Sequence, residues 1–238
     1  MNVGTEDVVA LSELVRQGAR PGNEQFDGDA HLSDVIPKPW GYEYRAYADD
    51  FFDFWNLHIE PGRSTSMHVH PRKLTYLLCM SGQGVTIGLT QEILVRAGTM
   101  VRIAGGTFHA TRNIGAEPLA LIEVELPRNK FDLIRYRDDY ARAGTPYETD
   151  SEPADGHPMR TVPYLPNAAM RDRSPDGRFG FALRTGMDIF YRRRPQDIFH
   201  VPLGLVGLAH GEVEILTGLD NRISPATDQY YLSISAAA

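Results

Sequence analysis

Between Lys38 and Leu126 the chain consists of short runs of β-branched and aromatic residues separated by turn residues. Glycine marks many of the breaks, as in Pro61-Gly62 and Gly105-Gly106. Parallel strands would need helical crossovers, which this region lacks, so an antiparallel sandwich or barrel is favoured. The pattern therefore predicts an all-β fold, with strands over residues 43–47, 52–59, 64–70, 75–80, 84–89, 92–95, 100–103, 109–113 and 119–126.

Two histidines lie two residues apart in one of these predicted strands. Alternate residues of a strand face the same side, and the row on this face is Ser64, Ser66, His68 and His70. In a barrel this row would face the interior, where His109 adds a third imidazole from a later strand. Neutral imidazole suits zinc, iron, nickel and copper, and three imidazoles leave coordination positions for water or substrate. We therefore predict a metal site on His68, His70 and His109.

Two spaced motifs contain these histidines. They read Gly62-x5-His68-x-His70-x4-Thr75-x6-Gly82 and Gly98-x5-Ala104-x-Gly106-x2-His109-x3-Asn113. Both resemble the paired signatures of the cupin superfamily, with Thr75 where the family has glutamate and Ala104 where it usually has proline. The resemblance implies a cupin jelly-roll barrel that holds one divalent metal ion (Zn, Fe, Ni or Mn).

The resemblance can be narrowed by the flanking sequence. Lys38-Pro39-Trp40-Gly41, the two motifs and residues 121–124 and 135–142 together look like the cupin domain of type II mannose-6-phosphate isomerases. Such domains also occur fused to sugar-nucleotide transferases. The similarity covers residues 38–143 and implies a sugar-phosphate or nucleotide-sugar context. Residues 144–238 do not follow that family's pattern.

Two candidate catalytic residues accompany the histidines. Without a glutamate at position 75, a three-histidine centre is more positive by about one charge and favours anionic, bidentate substrates. Thr75 is a candidate to hydrogen-bond a metal-bound water, with plain core packing as the alternative. Glu123 matches the isomerase-like Ile-Glu-Val and shares a strand face with Leu121 and Glu125. An interior face would make Glu123 a general base; an exterior face would leave it solvated.

Other polar residues near the motifs have weaker assignments. Arg72 and Lys73 follow the ligand strand at the predicted barrel mouth, where they would hold a phosphate or carboxylate, or else form a solvated turn. Cys79 reads as a small buried hydrophobe rather than a nucleophile. His58 and His200 read as structural strand histidines.

The remaining chain is divided by composition. Residues 1–37 are predicted to form a short amphipathic helix, with Val8, Leu11, Leu14 and Val15 at helical spacing, and a connecting arm. The metal-binding barrel covers 38–143, and its charged end, 128–143, is a helix or a covering arm. A proline-rich linker over 144–177 precedes a degenerate second cupin-like half over 178–238. Residues 208–216 echo 80–89, which suggests a bicupin-like chain without a second metal site.

Composition limits the partners. The net charge of −7 over 238 residues argues against a nucleic-acid or anionic-membrane partner. No apolar run approaches the roughly 20 residues of a membrane span. The first residues lack the basic segment of a signal peptide, and the single cysteine excludes an intrachain disulfide. We expect a cytoplasmic protein with a small anionic substrate; cupin barrels often pair through edge strands, so a homodimer is a further expectation.

The leading functional hypothesis is a metal-dependent isomerase or epimerase of sugar phosphates or nucleotide sugars, with Glu123 moving the proton. One alternative is a three-histidine non-haem iron dioxygenase, since some cupin dioxygenases use such a site. The other is a non-catalytic sugar-binding or sensor cupin, in which the metal only positions a ligand. The sequence leaves these three open.

Overall fold

The computed structural model describes residues 1–22, 34–48, 53–142, 147, 150–153, 171–173, 179–203, 216–217 and 230–236. The chain divides into two compact units, one of Met1–Ala48 with Phe52–Thr161 and one of Asp49–Phe51 with Val162–Ala238. Most of the predicted linker over 144–177 lies outside the described residues. The predicted domain boundaries at 37, 143 and 177 therefore stay predictions.

The first unit is made of antiparallel strands and one helix. Its elements are α1 (Thr5–Arg16), β1 (Asp34–Lys38), β2 (Gly41–Ala48), β3 (Asp53–Ile59), β4 (Met67–Val69), β5 (Leu74–Ser81), β6 (Gln83–Ile87), β7 (Glu92–Arg96), β8 (Met100–Ile103), β9 (Ala110–Asn113), β10 (Leu119–Leu126), β11 (Ile134–Arg137) and β12 (Glu152–Pro153). They form a seven-stranded sheet in the order β12-β1-β2-β3-β10-β5-β8, a three-stranded sheet β7-β6-β9 and a pair β11-β4. The all-β prediction is confirmed, and this is a cupin-type jelly roll.

The predicted strands differ from the observed ones mainly around the histidines. The predicted strand over 64–70 is reduced to β4, with Ser64 joined to Arg112 by an isolated bridge. The charged segment 128–143, left open between helix and arm, is an arm whose strand β11 pairs with β4. The pairing buries Ile134 and Arg135 and leaves Tyr136 and Arg137 exposed. One edge of β4 is therefore paired with β11, and its other edge is joined to His109, which directly precedes β9.

The core lies on one face of the seven-stranded sheet. Strand β10 runs between β3 and β5, with Leu121 opposite Leu57 on one side and Cys79 on the other. These side chains, together with Trp55 and Leu77, belong to one buried apolar cluster. Because alternate residues share a face, the face that carries Leu121 continues into Glu123 and Glu125. The carboxylates of β10 therefore lie inside the barrel.

Helix α1 packs on the histidine end of the barrel. Leu11 and Leu14 contact a cluster of Val69, Phe108 and Ile134. Val8 and Val15, which the helical spacing placed on the same face, are 55% and 39% exposed, so the apolar stripe is narrower than predicted.

A buried carboxylate ties the same helix to the barrel. Asp7 Oδ1 accepts a hydrogen bond from the Phe108 amide at 2.9 Å, and Oδ2 accepts one from the Gly4 amide at 2.8 Å. This contact secures the backbone directly before His109. Neither helix in the described part of the chain is long and apolar enough to cross a membrane.

The second unit is also rich in strands. It contains β13 (Arg171–Arg173), β14 (Phe179–Thr185), α2 (Gly186–Tyr191), β15 (Asp197–Leu203), β16 (Leu216–Thr217) and β17 (Tyr230–Ala236), in a five-stranded antiparallel sheet of order β13-β14-β17-β15-β16. Of the echo over 208–216, only Leu216 lies within the described residues. A degenerate second cupin half stays a prediction.

A buried polar cluster lies within this second unit. His200 Nδ1 is 2.8 Å from Ser233 Oγ, and His200 Nε2 is 3.8 Å from Asp197 Oδ2. Arg184 Nη1 donates to Asp197 Oδ2 at 2.8 Å. Burial, opposed by Asp197, lowers the pKa of His200 to about 4, so the imidazole is neutral at pH 7. The predicted structural role of His200 agrees with these contacts.

This histidine should make the stability of the chain sensitive to acid. The pKa of an unfolded histidine is about 6.5, so between about pH 6.5 and pH 4 the unfolded state binds a proton that the folded state does not. Stability is therefore lost as the pH falls through this window, by about 2 kcal/mol between pH 7 and pH 5. The His200→Asn variant keeps a hydrogen-bonding group near Ser233 and should show that much less pH dependence in calorimetric unfolding. An identical pH dependence in both proteins would contradict the assignment.

Candidate metal centre

Three imidazoles converge inside the first unit. His68 lies in β4, His70 directly follows that strand and His109 directly precedes β9. The backbones of His68 and His109 are joined by two hydrogen bonds of 3.0 and 2.8 Å. The ring centroids are 4.4 to 5.3 Å apart, and all three side chains are buried. The barrel thus brings together the three predicted ligands from two separate stretches of chain.

Backbone carbonyls orient the three rings. The Nδ1 atom of His68 lies 2.8 Å from the Ser66 carbonyl oxygen, and that of His70 lies 2.7 Å from the Asp132 carbonyl oxygen. The Nδ1 atom of His109 lies 3.1 Å from the Thr107 carbonyl oxygen. A carbonyl oxygen can only accept, so each Nδ1 carries the proton and each Nε2 carries the lone pair. This is the usual arrangement of metal-binding histidines.

The opposite ring nitrogens leave a place for a cation. The Nε2 atoms of His70 and His109 are buried and have no hydrogen-bond partner. One potential ligand atom from each of the three histidines lies within 4.8 Å of the others. Buried nitrogen lone pairs without a donor are rare unless they bind a metal or water. The residues present therefore fit a metal ion.

The protonation state of the three imidazoles also suits metal binding. Burial lowers the pKa of His68 and of His70 well below the usual value, and the neighbouring cationic Lys73 adds to the effect. Burial lowers the pKa of His109 to about 4. All three rings are neutral at pH 7, and neutral imidazole is the form that binds metals.

Two carboxylates from β10 complete the surroundings. Glu123 stands opposite Leu77 of β5, and Glu125 stands opposite Thr75. Glu125 Oε1 is 3.7 Å from His70 Nε2. His70, Glu123 and Glu125 form a second group whose ligand atoms lie within 4.8 Å of one another. Glu123 was predicted to be a general base only if its strand face was interior, and Glu125 was given no role, although the two residues share that face.

Glu123 is paired with a lysine that the sequence did not single out. Lys130 Nζ is 2.5 Å from Glu123 Oε2 and lies over the Trp55 ring, 4.6 Å from its centroid. Burial raises the pKa of Glu123, while the attraction of Lys130 opposes the rise. Burial lowers the pKa of Lys130, but the attraction of Glu123 and Glu125 outweighs it, so the net shift is upward. Both groups thus depend on each other for charge compensation.

Arg72 and Lys73 follow β4, as predicted, and their predicted role in holding a substrate anion stays a prediction. Lys73 is not on an exposed turn: it is 1% exposed, and its Nζ lies 2.5 Å from Glu125 Oε1. The reason is strand parity, since Lys73 shares the inward face with Thr75. Arg72 is half exposed, but its Nε donates to Asp132 Oδ1 at 2.6 Å, which braces the loop that holds His70. Both cations are engaged by carboxylates of the barrel.

Thr75 and Cys79 are both interior, as their shared parity with Leu77 predicted. Thr75 is 1% exposed, and its Oγ1 has no hydrogen-bond partner. Burial raises the pKa of the Cys79 thiol to about 12, so it is not a thiolate at pH 7. Cys79 therefore contributes apolar volume, not a nucleophile.

A pocket opens beside the histidines. Its volume is about 50 Å³, room for about three or four waters. Basic side chains outnumber acidic ones in its wall, which consists of Lys38, Trp40, Glu43, Leu57, Thr65, Ser66, His68, His70, Glu123, Lys130, Leu133, Arg135, Arg142 and Tyr147. The Tyr147 hydroxyl donates to Glu43, and Lys38 Nζ lies 3.4 Å from the same carboxylate. The pocket thus connects the imidazoles, Glu123 and a basic wall.

Comparison with known proteins agrees with this architecture. Residues 55–125 match the family model of the cupin domain. The alginate biosynthesis protein AlgA of Pseudomonas putida is 25% identical over 153 residues, which cover 61% of this chain and 32% of AlgA. The xanthan biosynthesis protein XanB of Xanthomonas campestris is 25% identical over 143 residues, or 59% of this chain and 30% of XanB. The chain thus spans about a third of the length of these relatives.

A third relative and two solved structures complete the comparison. A mannose-1-phosphate guanylyltransferase of Sinorhizobium fredii is 24% identical over 139 residues, covering 56% of this chain and 26% of the transferase. A double-stranded β-helix protein of Klebsiella pneumoniae is 20% identical with a TM-score of 0.38, covering 52% of this chain and 89% of that one. The capsular polysaccharide assembling protein CapF of Staphylococcus aureus is 20% identical with a TM-score of 0.40, covering 44% and 34%. The motifs, the strand order and the family match place residues 55–125 of this chain in the cupin superfamily.

Proposed function

We propose that this chain is a metal-dependent cupin enzyme that isomerises or epimerises a small polar anion, namely a sugar phosphate or a nucleotide sugar. The observation that carries the proposal is the position of Glu123. Its carboxylate lies in the same pocket wall as His68 and His70 and is paired with Lys130. A carboxylate beside a metal centre is the arrangement that proton abstraction next to a carbonyl requires.

Glu123 is suited to exchange a proton with a substrate. Burial raises its pKa, which makes it a stronger base than an exposed glutamate. Lys130 holds one carboxylate oxygen at 2.5 Å and so fixes the orientation of the group. The other oxygen is the one we assign to the substrate C–H bond. When bound by the three histidines, a divalent metal would supply Lewis-acid polarisation of the substrate carbonyl.

The charge of the pocket supports an anionic substrate. Lys38, Arg135 and Arg142 lie in its wall in addition to Lys130. Cations in a buried wall attract a phosphate or carboxylate more strongly than they would in water. The pocket volume of about 50 Å³ admits only part of a sugar, so the remainder would lie on the open side. The relatives named for alginate and xanthan biosynthesis support a carbohydrate context.

Solvent-proton exchange tests this proposal with a matched variant. Metal-loaded protein is incubated with a panel of hexose phosphates and nucleotide sugars in deuterated water, and deuterium incorporation next to the carbonyl is followed by NMR. We expect turnover with at least one sugar, and a loss of about 100-fold in Glu123→Gln because the proton acceptor is gone. Glu60→Gln, which changes an exposed carboxylate outside the pocket, is the control. Metal-loaded wild type without turnover or exchange on any sugar would contradict the proposal.

An iron dioxygenase remains the second candidate. Thr75 supplies no carboxylate, and a site of three imidazoles resembles the iron centres of some cupin dioxygenases. Metal identity separates the two. Iron with substrate-dependent oxygen uptake would favour the dioxygenase, whereas zinc, nickel or manganese with sugar turnover would favour the isomerase. A His68→Ala/His70→Ala variant that loses metal but keeps its affinity for a sugar would favour the sugar-binding alternative.

A further inference from the structure

We propose that Glu125 is the fourth ligand of the metal centre and replaces, from the neighbouring strand, the carboxylate that is absent at Thr75. The inference rests on the metal centre proposed above and extends it. It changes the expected composition of the site from three imidazoles to three imidazoles and one carboxylate.

The strand register places Glu125 where it can replace a carboxylate at position 75 as a metal ligand. Glu125 of β10 is the direct cross-strand partner of Thr75 of β5. The Cβ atoms of such partners are about 4.5–5.5 Å apart and point to the same side of the sheet. A glutamate on either strand therefore reaches the same region of the interior. The smaller Thr75 side chain leaves that region to Glu125.

The hydrogen bonding of Glu125 leaves one oxygen available. Lys73 Nζ contacts Oε1 at 2.5 Å, and Oε2 is buried without a hydrogen-bond partner. The Nε2 atoms of His70 and His109 are likewise buried without a partner. Leaving three such acceptors unsatisfied in one interior is costly, since each gave up its hydration on folding. His70 belongs both to the group of three histidines and to the group with Glu125, so a cation at its Nε2 would lie beside the Glu125 carboxylate.

A metal-binding Glu125 would also explain why a lysine, Lys73, is buried beside it. Metal-binding carboxylates are commonly hydrogen-bonded in turn by a neighbouring group. Lys73 provides such a contact at Oε1, the oxygen that also lies 3.7 Å from His70 Nε2, and balances the charge of a fully buried glutamate. The cation thus positions the ligand instead of meeting a substrate.

Glu123 provides an internal comparison for this assignment. It lies two residues away on the same face of β10, and its Oε2 is held by Lys130. Glu123 lines the pocket, whereas Glu125 is fully buried and does not. We therefore assign the substrate-facing role to Glu123 and the metal-facing role to Glu125.

Cobalt binding tests the two carboxylates against each other. Co²⁺ is titrated into metal-free full-length protein, and both the affinity and the visible absorption spectrum are recorded. We expect Glu125→Gln to lower Co²⁺ affinity by about 10- to 100-fold and to change the spectrum, because one ligand is lost. Glu123→Gln should stay within about 3-fold of wild type and keep its spectrum. The exchange variant Thr75→Glu/Glu125→Thr should recover most of the lost affinity, because it returns the carboxylate from the opposite strand.

The outcomes separate this inference from the wider proposal. Wild type that binds no Co²⁺ would overturn the metal centre itself. Wild-type affinity and spectrum in Glu125→Gln, or equal losses in both glutamine variants, would overturn only the role of Glu125. If Glu125→Gln does not fold because Lys73 has lost its partner, the same comparison is made between Lys73→Met/Glu125→Gln and Lys73→Met. A lower affinity in the double variant would support the role of Glu125, and equal affinities would overturn it.

Discussion

The His68→Ala/His70→Ala variant is expected to bind Co²⁺ more than about 1,000-fold more weakly than the wild-type chain. Both imidazoles lie in the converging group, and their Nδ1 atoms are held by backbone carbonyls so that Nε2 faces the centre. Removing two of the three nitrogens removes most of the binding energy of the site. Because binding and folding are coupled, the variant should also lose the increase in thermal stability that the metal gives the wild type.

A histidine outside the centre provides the matched control. His58 of β3 stacks on Tyr42, with ring centroids 4.5 Å apart, and is not among the grouped ligands. His58→Ala should therefore keep wild-type Co²⁺ affinity, measured by calorimetry or by competition with a chelator. Equal affinities in all three proteins would show that the imidazoles of His68 and His70 are not ligands.

The second large effect concerns the buried pair of Lys73 and Glu125. Their charged atoms are 2.5 Å apart and both side chains are fully buried. Lys73→Met removes the nearer counter-ion of a buried carboxylate and leaves only Lys130 Nζ, 3.9 Å from Oε1. Breaking a buried pair in this way typically costs about 3–5 kcal/mol. We expect this loss in urea unfolding of metal-free protein, followed by the fluorescence of Trp40 and Trp55 in the first unit.

Removing both charges should reverse most of that loss. Lys73→Met/Glu125→Gln carries no uncompensated charge, so its stability is expected to lie close to that of the wild type. Added metal should stabilise Lys73→Met more than the double variant, because only the single variant keeps the proposed carboxylate ligand. Equal destabilisation of the single and double variants would mean that the cost arises from lost lysine packing and not from an isolated charge.

The sequence alone predicted the features that follow from periodicity and motif spacing. The bounds of β8 and β10 coincide with the predicted strands over 100–103 and 119–126. The convergence of His68, His70 and His109 followed from alternation along one strand and from the second motif. The spacing of residues within a motif reflects local backbone geometry, and the positions of these three imidazoles depend mainly on that geometry.

What the sequence did not predict depends on contacts between distant strands. Lys73 was predicted to hold an anion at the barrel mouth or to lie in a solvated turn. Its partner, Glu125, is 52 residues away, and the pair becomes visible only with the register of β10 against β5. Lys130 lies in the charged segment that the sequence left open between a helix and a covering arm, and its packing over Trp55 and its pairing with Glu123 were not predicted. Neither ion pair has a local sequence signal.

Metal analysis of the whole chain, purified without chelator, shows whether the three histidines hold an ion. We expect about one equivalent of a divalent metal per chain, lost in His68→Ala/His70→Ala and kept in His58→Ala. Wild-type protein with no metal above trace, and no binding when Zn²⁺, Fe²⁺, Ni²⁺ or Mn²⁺ is supplied, would contradict it.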